Sequence, residues 1–523
     1  MTYRNILLFV AVTLFASLHL GAANRVDINF TRDSTYWNTH FPNLDWNKQN
    51  TDYYVGGVDG LAFDGYSFKG SYGKFNPGSG VHAQPFDSED HCTQFIYAFR
   101  ISNSGDSYIE LPTVKDAGQL TIHCKSGNPT ESAVFYIEKY EKKKWVRLHT
   151  LVAPPHVNNE YDVVIRKDLQ LKKASKLRIY GASKNLHVYS IQLEAYSASP
   201  AEDKPIRVVV LPDTQTYTQE YPYIFNHQTA WAVNNADNIS FLIQVGDITN
   251  ANNAKQWPVV ANAMSVLDNV VPHTFSPGNH DIGNHGSSNT RDTKLLNKYM
   301  PLSTYSKLVG YGGAFEADRM DNNWFTFTAE GYQFLVLALE FAPRDAVLEW
   351  AGQVVKSHPN HNVIIGTHAY MYSDDQRISD KYEHKWTPTK YGLSKDSIVV
   401  DGKKIPAGAN DGEQIWDKLV KLYPNILMVV SGHVLNDGTG LLVSEGVNGN
   451  KVYQMMANYQ KGVINTVSGG NGFLRMIDIY PTKKIMSVRT YSPFINKFKT
   501  AKDQQFTFEN VTLVPSKTTR KKK

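Results

Sequence analysis

Five short loops carry side chains suited to holding divalent cations: Asp213-Thr214-Gln215, Gly246-Asp247, Gly278-Asn279-His280-Asp281, Thr367-His368 and Gly432-His433. Carboxylate and carboxamide oxygens and imidazole nitrogens are the donors that such ions take from proteins. Two cations close together can share a carboxylate, activate a water and grip the charged oxygens of a phosphate. A lone Gly-Asp says nothing, and a lone His little more. Taken singly, each residue is more simply a turn Asp, a capping Asn or a core His. The ordered set of five carries the meaning.

Each loop follows its own short apolar run, at residues 208–211, 241–245, 273–276, 363–365 and 426–430. β-Branched runs bounded by Gly, Pro or Asn predict buried strands. Ligands of open α/β sheets gather at the carboxyl ends of such strands. Helical periods lie between the runs. Residues 256–268 place Trp257, Val260, Ala263, Met264 and Leu267 on one face. A second helix opens at Pro343 and buries Val347, Leu348, Ala351, Val354 and Val355. A third follows Asp411 as N-cap. Residues 473–480 and 484–491 read as an antiparallel pair. The polar, irregular stretch 372–411 reads as a long loop of the lid or insertion type.

The chain before residue 198 has a different grammar. Short strands are predicted at 108–111, 120–124, 134–140, 145–151, 161–166, 176–180 and 188–196, with turn residues between them and no helical period. That spacing predicts an all-β sandwich or jelly roll. The expected division is 24–197 for this domain, 198–204 for a linker and 205–513 for the α/β part. Residues 514–523 form a solvated basic tail.

A chain of 523 residues and net charge +5 is large enough for two or three domains. It lacks the basic, aromatic-laced face that a nucleic-acid polymer would need. Residues 1–23 read as a signal peptide, with Arg4 before an apolar run and Gly21-Ala22-Ala23 at the cut, so a secreted or periplasmic protein is expected. No later stretch predicts a membrane span. The two cysteines, Cys92 and Cys124, leave open a disulfide or two separate buried thiols.

The loops from Asp213 to His433 resemble the calcineurin-like metallophosphoesterases, whose pattern runs D-x-H, G-D, G-N-H-[DE], H and G-H-x-H. The resemblance covers about residues 205–513. It implies an α/β/β/α four-layer sandwich that hydrolyses phosphate esters by attack of metal-bound hydroxide. It also implies the roles of individual residues. Asp247 would bridge two metals and Asp213 would serve the first. Asn279, His368 and His433 would join Asp247 on the second. His280 would be the general acid, oriented by Asp281. The front domain is similar to galactose-binding-like jelly rolls. That likeness implies a carbohydrate ligand, with Trp37, Trp46, Tyr53 and Tyr54 as stacking candidates or as ordinary core rings.

Two positions depart from the phosphoesterase pattern. Gln215 stands where the family has the histidine of D-x-H, and Leu435 where it has the second histidine of G-H-x-H. Both losses fall on the first metal. They predict an oxygen-rich first site of Asp213, Gln215 and Asp247, suited to Mn²⁺, Mg²⁺ or Ca²⁺, beside a second site open to Zn²⁺ or Fe. Asn436 or Asp437 is a candidate replacement oxygen. Arg344 is a candidate phosphate ligand or a helix-terminal surface residue. Tyr217, His285, Tyr370 and His384 read as packing or rim. A phosphorylated small molecule, lipid headgroup or glycan is the expected substrate, with a diester mildly preferred by analogy. The departures also feed an alternative: a catalytically impaired phosphoesterase that acts as a cell-surface glycan-binding protein.

Overall fold

A computed structural model describes residues 108–515, apart from Pro112, 156–161, Ala182, 199–202, Asn284, 286–287, Asp396, 401–402 and Ala407. Before residue 108 it describes the strands Val26–Asn29, Tyr53–Val55, Leu61–Phe63, Tyr66–Phe68, Gly73–Phe75 and Phe99–Ile101. The predicted leader, Cys92, Trp37 and Trp46 lie outside the described residues, as do the side chains of Tyr53 and Tyr54.

The front of the chain is an all-β sandwich. One sheet has seven strands and includes the long Ala117–Ser126, Val163–Leu171 and Leu186–Leu193. The other has four: Lys144–Ala153, Ala133–Glu141, Leu177–Gly181 and Tyr108–Glu110. Alternation sends Leu120, Ile122 and Cys124 of one sheet, and Phe135, Ile137, Leu177 and Ile179 of the other, into a shared core. Burial there pushes the Cys124 thiol up, out of the reactive range.

Two further sheets follow. In the first, Ile206–Leu211, Phe241–Gln244 and His273–Phe275 run parallel, and Leu474–Tyr480 and Ile485–Ser492 complete the other side antiparallel. In the second, Tyr332–Ala338, Asn362–Gly366, Ile426–Ser431 and Lys451–Ala457 run parallel. Strands covered on both faces need no alternation, which is why their sequences are unbroken apolar runs. Phe334 and Val336 face the other sheet. Leu335 and Leu337 face the helices Asp345–Ser357 and Gly412–Lys418. The helices Pro222–Asn234 and Trp257–Ser265 cover the first sheet. The order is helices, sheet, sheet, helices, as the resemblance implies. At the contact between the sheets, a Cβ on Gly366 would overlap Ile243.

Two helices differ from expectation. The Pro343 helix starts at Asp345, because Glu340 takes the backbone N–H of Arg344 at 3.1 Å and holds that residue extended at φ −68°, ψ 156°. The Pro222–Asn234 helix gives no apolar stripe, since it is buried on two sides. Ile224, Phe225 and Val233 pack on the first sheet, while Asn226 meets Ser132 of the front sandwich and Asn234 meets Val152. The stretch after Tyr372 is built of short turns, Asp380–Tyr382, Pro388–Lys390 and Gly392–Lys395, and a hairpin of Ser397–Val400 with Lys403–Pro406. Among the described residues, no helix is long and apolar enough to cross a membrane.

Candidate metal centre

All five loops emerge at the same end of the two sheets. Asp213, Asp247 and His433 follow their strands in left-handed backbone, at φ 34°, 50° and 77°. Such conformations strain a residue with a Cβ and persist where surrounding structure enforces them, commonly at functional sites. Small residues make the close approach feasible. A Cβ on Gly432 would overlap Asp213 Oδ2, and one on Gly278 would overlap Asp247.

His368 is the hub. Its Nδ1 contacts the Val245 carbonyl at 2.8 Å, which can only accept, so Nδ1 carries a proton and Nε2 faces inward. Around Nε2 stand Asp247 Oδ2 at 3.1 Å, Asn279 Oδ1 at 3.1 Å and His433 Nδ1 at 3.2 Å. His433 is turned the opposite way: its Nε2 donates to the Trp386 carbonyl at 2.8 Å, which leaves Nδ1 free toward the centre. Ligands each about 2.1 Å from one ion sit roughly 3 Å apart, which is the spacing of these three atoms from His368 Nε2. Asp247, His368 and His433 bring their ligating atoms within 4.8 Å of one another, and all three are buried.

The electrostatics call for positive charge. Burial works against ionising Asp247, but His368, His280 and His433 outweigh it and hold the carboxyl well below the usual range. Burial likewise opposes protonating His368, yet Asp247 and Asp213 raise it to about 9. Burial and the charge on His368 lower His433 to about 3. Burial pushes Asp213 well above the ordinary carboxylate value, an effect only partly offset by His368. The protonated His368 thus stands where a cation would satisfy both carboxylates, so these residues fit the divalent ion that the fold implies.

His280 lies at the rim, half-buried. Its backbone N–H donates to Asp247 Oδ1 at 2.9 Å and its Nδ1 to the Asn250 carbonyl at 2.7 Å. That bond leaves Nε2 as the atom that can exchange a proton with a bound ligand. Asp281 does not orient this ring, contrary to expectation. Its carboxylate accepts from the backbone N–H of Ile248 at 3.0 Å, of Thr249 at 2.8 Å and of Gly278 at 2.8 Å, and from Thr249 Oγ1 at 3.0 Å. It clamps the Asp247 loop to the Asn279 loop. Burial and Asp247 raise it to about 6.

Asp213 and Gln215 are linked through Gln460, whose Nε2 reaches Asp213 Oδ1 and whose Oε1 accepts from Gln215 Nε2. The backbone N–H of His433 donates to Asp213 at 3.1 and 3.2 Å. Neither Asn436 nor Asp437 supplies a replacement oxygen. Both are exposed: Asn436 donates to Ser373 at 2.6 Å, and Asp437 accepts from the Thr439 backbone. Asn458 and Gln460 stand beside Asp213 instead, each donating from its amide NH₂ to Asp213 Oδ1, at 3.2 and 3.4 Å. The sequence signal was available, since Asn458-Tyr459-Gln460 is a polar loop directly after an apolar strand, the same grammar as the other five.

Arg344 is neither a free phosphate ligand nor an open surface residue. Its guanidinium is held by Glu340, at 2.8 and 3.0 Å, and by Glu316 at 2.5 Å. Tyr217 and Tyr370 are buried, with hydroxyls on the Gly472 backbone and on Gln454. His384 stacks on Tyr372 at 3.9 Å and bonds Asp374 at 3.0 Å. His285 is exposed.

Residues 206–437 match the family model of the calcineurin-like phosphoesterases, a family that binds divalent metals and hydrolyses phosphoesters. The chain is 29% identical over 308 residues to the uncharacterized protein YvnB of Bacillus subtilis (strain 168), over 57% of this chain. It spans about a fifth of that relative, 20% of its length. Among solved structures, GAP50, the anchor in the inner membrane complex of Plasmodium, aligns at TM-score 0.31 and 12% identity, over 60% of this chain and 89% of that one. A carbohydrate binding module of family 29 aligns at TM-score 0.18 and 12% identity, over 27% of this chain and 90% of that one.

Proposed function

We propose that this protein hydrolyses a phosphate ester, a diester in preference to a monoester, outside the cytoplasm. The supporting observation is the convergence of Asp247 Oδ2, Asn279 Oδ1 and His433 Nδ1 on His368 Nε2, with the His280 ring at the rim of the same loop. Asp213, Gln215, Asp247, Asn279, His368 and His433 are the proposed metal ligands. Bound divalent ions would supply Lewis acidity and an activated water. The chain's own residues do the rest. Asp247 would serve both the Asp213 side and the His368 side. His280 Nε2 delivers a proton to the departing ester oxygen, the ring being set by Asn250. Asp281 holds the two loops in register. The fold buries every proposed ligand, which excludes bulk water and strengthens their charge interactions.

Turnover of bis-p-nitrophenyl phosphate and p-nitrophenyl phosphate by metal-stripped full-length protein tests this reading. The protein is re-dosed with Mn²⁺, Mg²⁺, Ca²⁺ or Zn²⁺, beside His280→Ala and His368→Ala. Metal-restored turnover abolished by both substitutions is expected. Folded protein that binds an ion and turns over neither ester would move the proposal to the second reading.

That second reading, a glycan-binding protein, has its own observation. On the outer face of the four-stranded sheet, Tyr108, Tyr180 and Tyr136 are direct cross-strand partners in one row. Arg147 lies over Tyr136 at 3.4 Å and Arg178 over Tyr180 at 4.8 Å. Aromatic rings beside guanidinium groups suit sugar rings bearing acidic groups. Glycan binding by the full chain, lost in Tyr136→Ala and Tyr180→Ala, would support it; unchanged binding in both would retire this face.

A further inference from the structure

The departures at Gln215 and Leu435 have a counterpart in three carboxamides around Asp213. Asn458 is fully buried. Its Oδ1 accepts the Gln460 backbone N–H at 3.0 Å, which fixes its NH₂ toward Asp213 Oδ1. Gln460 spans two neighbours. Its Nε2 reaches Asp213 Oδ1, and its Oε1 accepts from Gln215 Nε2. The chain of donors ends at Gln215, only 6% exposed, whose Oε1 is buried without a hydrogen-bond partner. Leaving a buried acceptor unpaired is costly, so such an atom in an otherwise satisfied cluster calls for a ligand. Leu435 contributes no donor atom here; its side chain packs beside Gly462.

We infer that Asn458 and Gln460 are positioning residues of a hard-cation site on Asp213. They hold the Gln215 carboxamide with its oxygen, not its nitrogen, turned to the ion. The inference rests on the metal-dependent reading above and deepens it. Gln460 Oε1 takes the NH₂ end of Gln215, so only Gln215 Oε1 remains to bind. Asn458 keeps Asp213 Oδ1 occupied from the side, leaving Oδ2, under Gly432, the less encumbered oxygen. The resulting donors, Asp213, Gln215 and Asp247, are all oxygens, in contrast to the two imidazoles on the other side of Asp247. Oxygen-only donors select Ca²⁺, Mg²⁺ or Mn²⁺, while His368 and His433 suit Zn²⁺ or Fe²⁺. The centre is therefore a mixed pair, one hard site and one borderline site, sharing one carboxylate.

The test counts ions on metal-stripped full-length protein by equilibrium dialysis, with Mn²⁺ magnetic resonance as the second readout. Wild type should hold two Mn²⁺ per chain, the weaker one without a directly bound nitrogen and displaced by Ca²⁺. Zn²⁺ should fill one tight site only. Gln460→Met removes the acceptor that orients Gln215 and should weaken the nitrogen-free site about 10–100-fold, as loss of an outer-shell partner does. Gln460→Glu keeps an acceptor for Gln215 Nε2 and should restore binding. In both variants the Zn²⁺ site should be unchanged, which shows that the fold has survived. Equal Mn²⁺ binding by Gln460→Met and wild type, or two tight Zn²⁺ per chain, would overturn the inference. One ion per chain with full ester turnover would overturn it too, while sparing the hydrolase reading. Failure of every ion to bind would overturn both.

Discussion

His433 and Trp386 are joined by a hydrogen bond from the imidazole Nε2 to a main-chain carbonyl, at 2.8 Å. The two residues come from different parts of the fold: one follows a strand of the second sheet, the other sits in the long segment after Tyr372. Trp386 itself is in left-handed backbone at φ 58°. Nearby, the Tyr391 ring lies 5.9 Å from His433 and 5.1 Å from Phe341. The segment therefore does more than roof the centre. It sets the tautomer that gives His433 Nδ1 to a metal.

A backbone contact of this kind is tested by backbone substitutions. Trp386→Pro forces φ to about −65° and moves the carbonyl off His433. Affinity for a Zn²⁺ probe should fall about 10–100-fold, the usual cost of losing a partner behind a ligating imidazole. Trp386→Gly adopts the positive φ freely and should keep affinity within a few-fold of wild type. Equal loss in both variants would mean that the indole, not the carbonyl, supports the site.

Asp281 makes a separate prediction. Four donors converge on its two oxygens, from Ile248, Gly278 and twice from Thr249. An Asn there must aim its NH₂ at two of those donors. Asp281→Asn should lower the unfolding free energy by about 2–4 kcal/mol, through lost charge-assisted bonds and newly unpaired N–H groups. The alkaline limb of any pH–rate profile, where a proton donor at His280 is lost, should stay in place, because Asn250 holds that ring. A moved alkaline limb at unchanged stability would restore the orienting role to Asp281.

What the sequence disclosed follows from the range of the interactions involved. The parallel strands were readable because their cover on both faces leaves unbroken apolar runs such as 334–339. The ligand loops were readable because each begins within three residues of a strand end. The helix Pro222–Asn234 was not, since its buried polar residues, Asn226, His227, Gln228 and Thr229, hide its period. The partner of His280 was not, because a main-chain carbonyl 30 residues away leaves no mark in residue type. Asn458 and Gln460 were within reach, but a carboxamide pair without His or a carboxylate does not announce a metal centre.

Gly432 tests how tightly the Asp213 side is packed. A methyl group on it would occupy the position of Asp213 Oδ2. The conflict is with a buried carboxylate fixed by the backbone of its neighbour His433, so the carboxylate must turn away. Gly432→Ala should cost one bound Mn²⁺ per chain and leave far-ultraviolet circular dichroism unchanged. Retention of two ions would show that the loop relaxes.

The pH dependence of stability has a remote reporter in Asp321, which is only 4% exposed. Its carboxylate accepts from Thr293 Oγ1 at 2.7 Å and from Asn297 Nδ2 at 2.6 Å. Burial, aided by Glu316 and Glu340, outweighs those bonds and raises it from 3.8 to about 6. The folded state thus binds this proton more tightly than the unfolded chain does. The stabilisation is fully present below pH 3.8 and is lost as pH rises through 6. The loss is about 3 kcal/mol, by the conversion of roughly 1.4 kcal/mol per pKa unit. Asp321→Asn keeps the shape, accepting from Asn297 and donating to Thr293, and has no charge to bury. In guanidinium titrations with chelator present, its unfolding midpoint should exceed that of wild type at pH 7.5, and the gap should close toward pH 4. Parallel midpoints across that range would mean that Asp321 titrates normally in the folded protein.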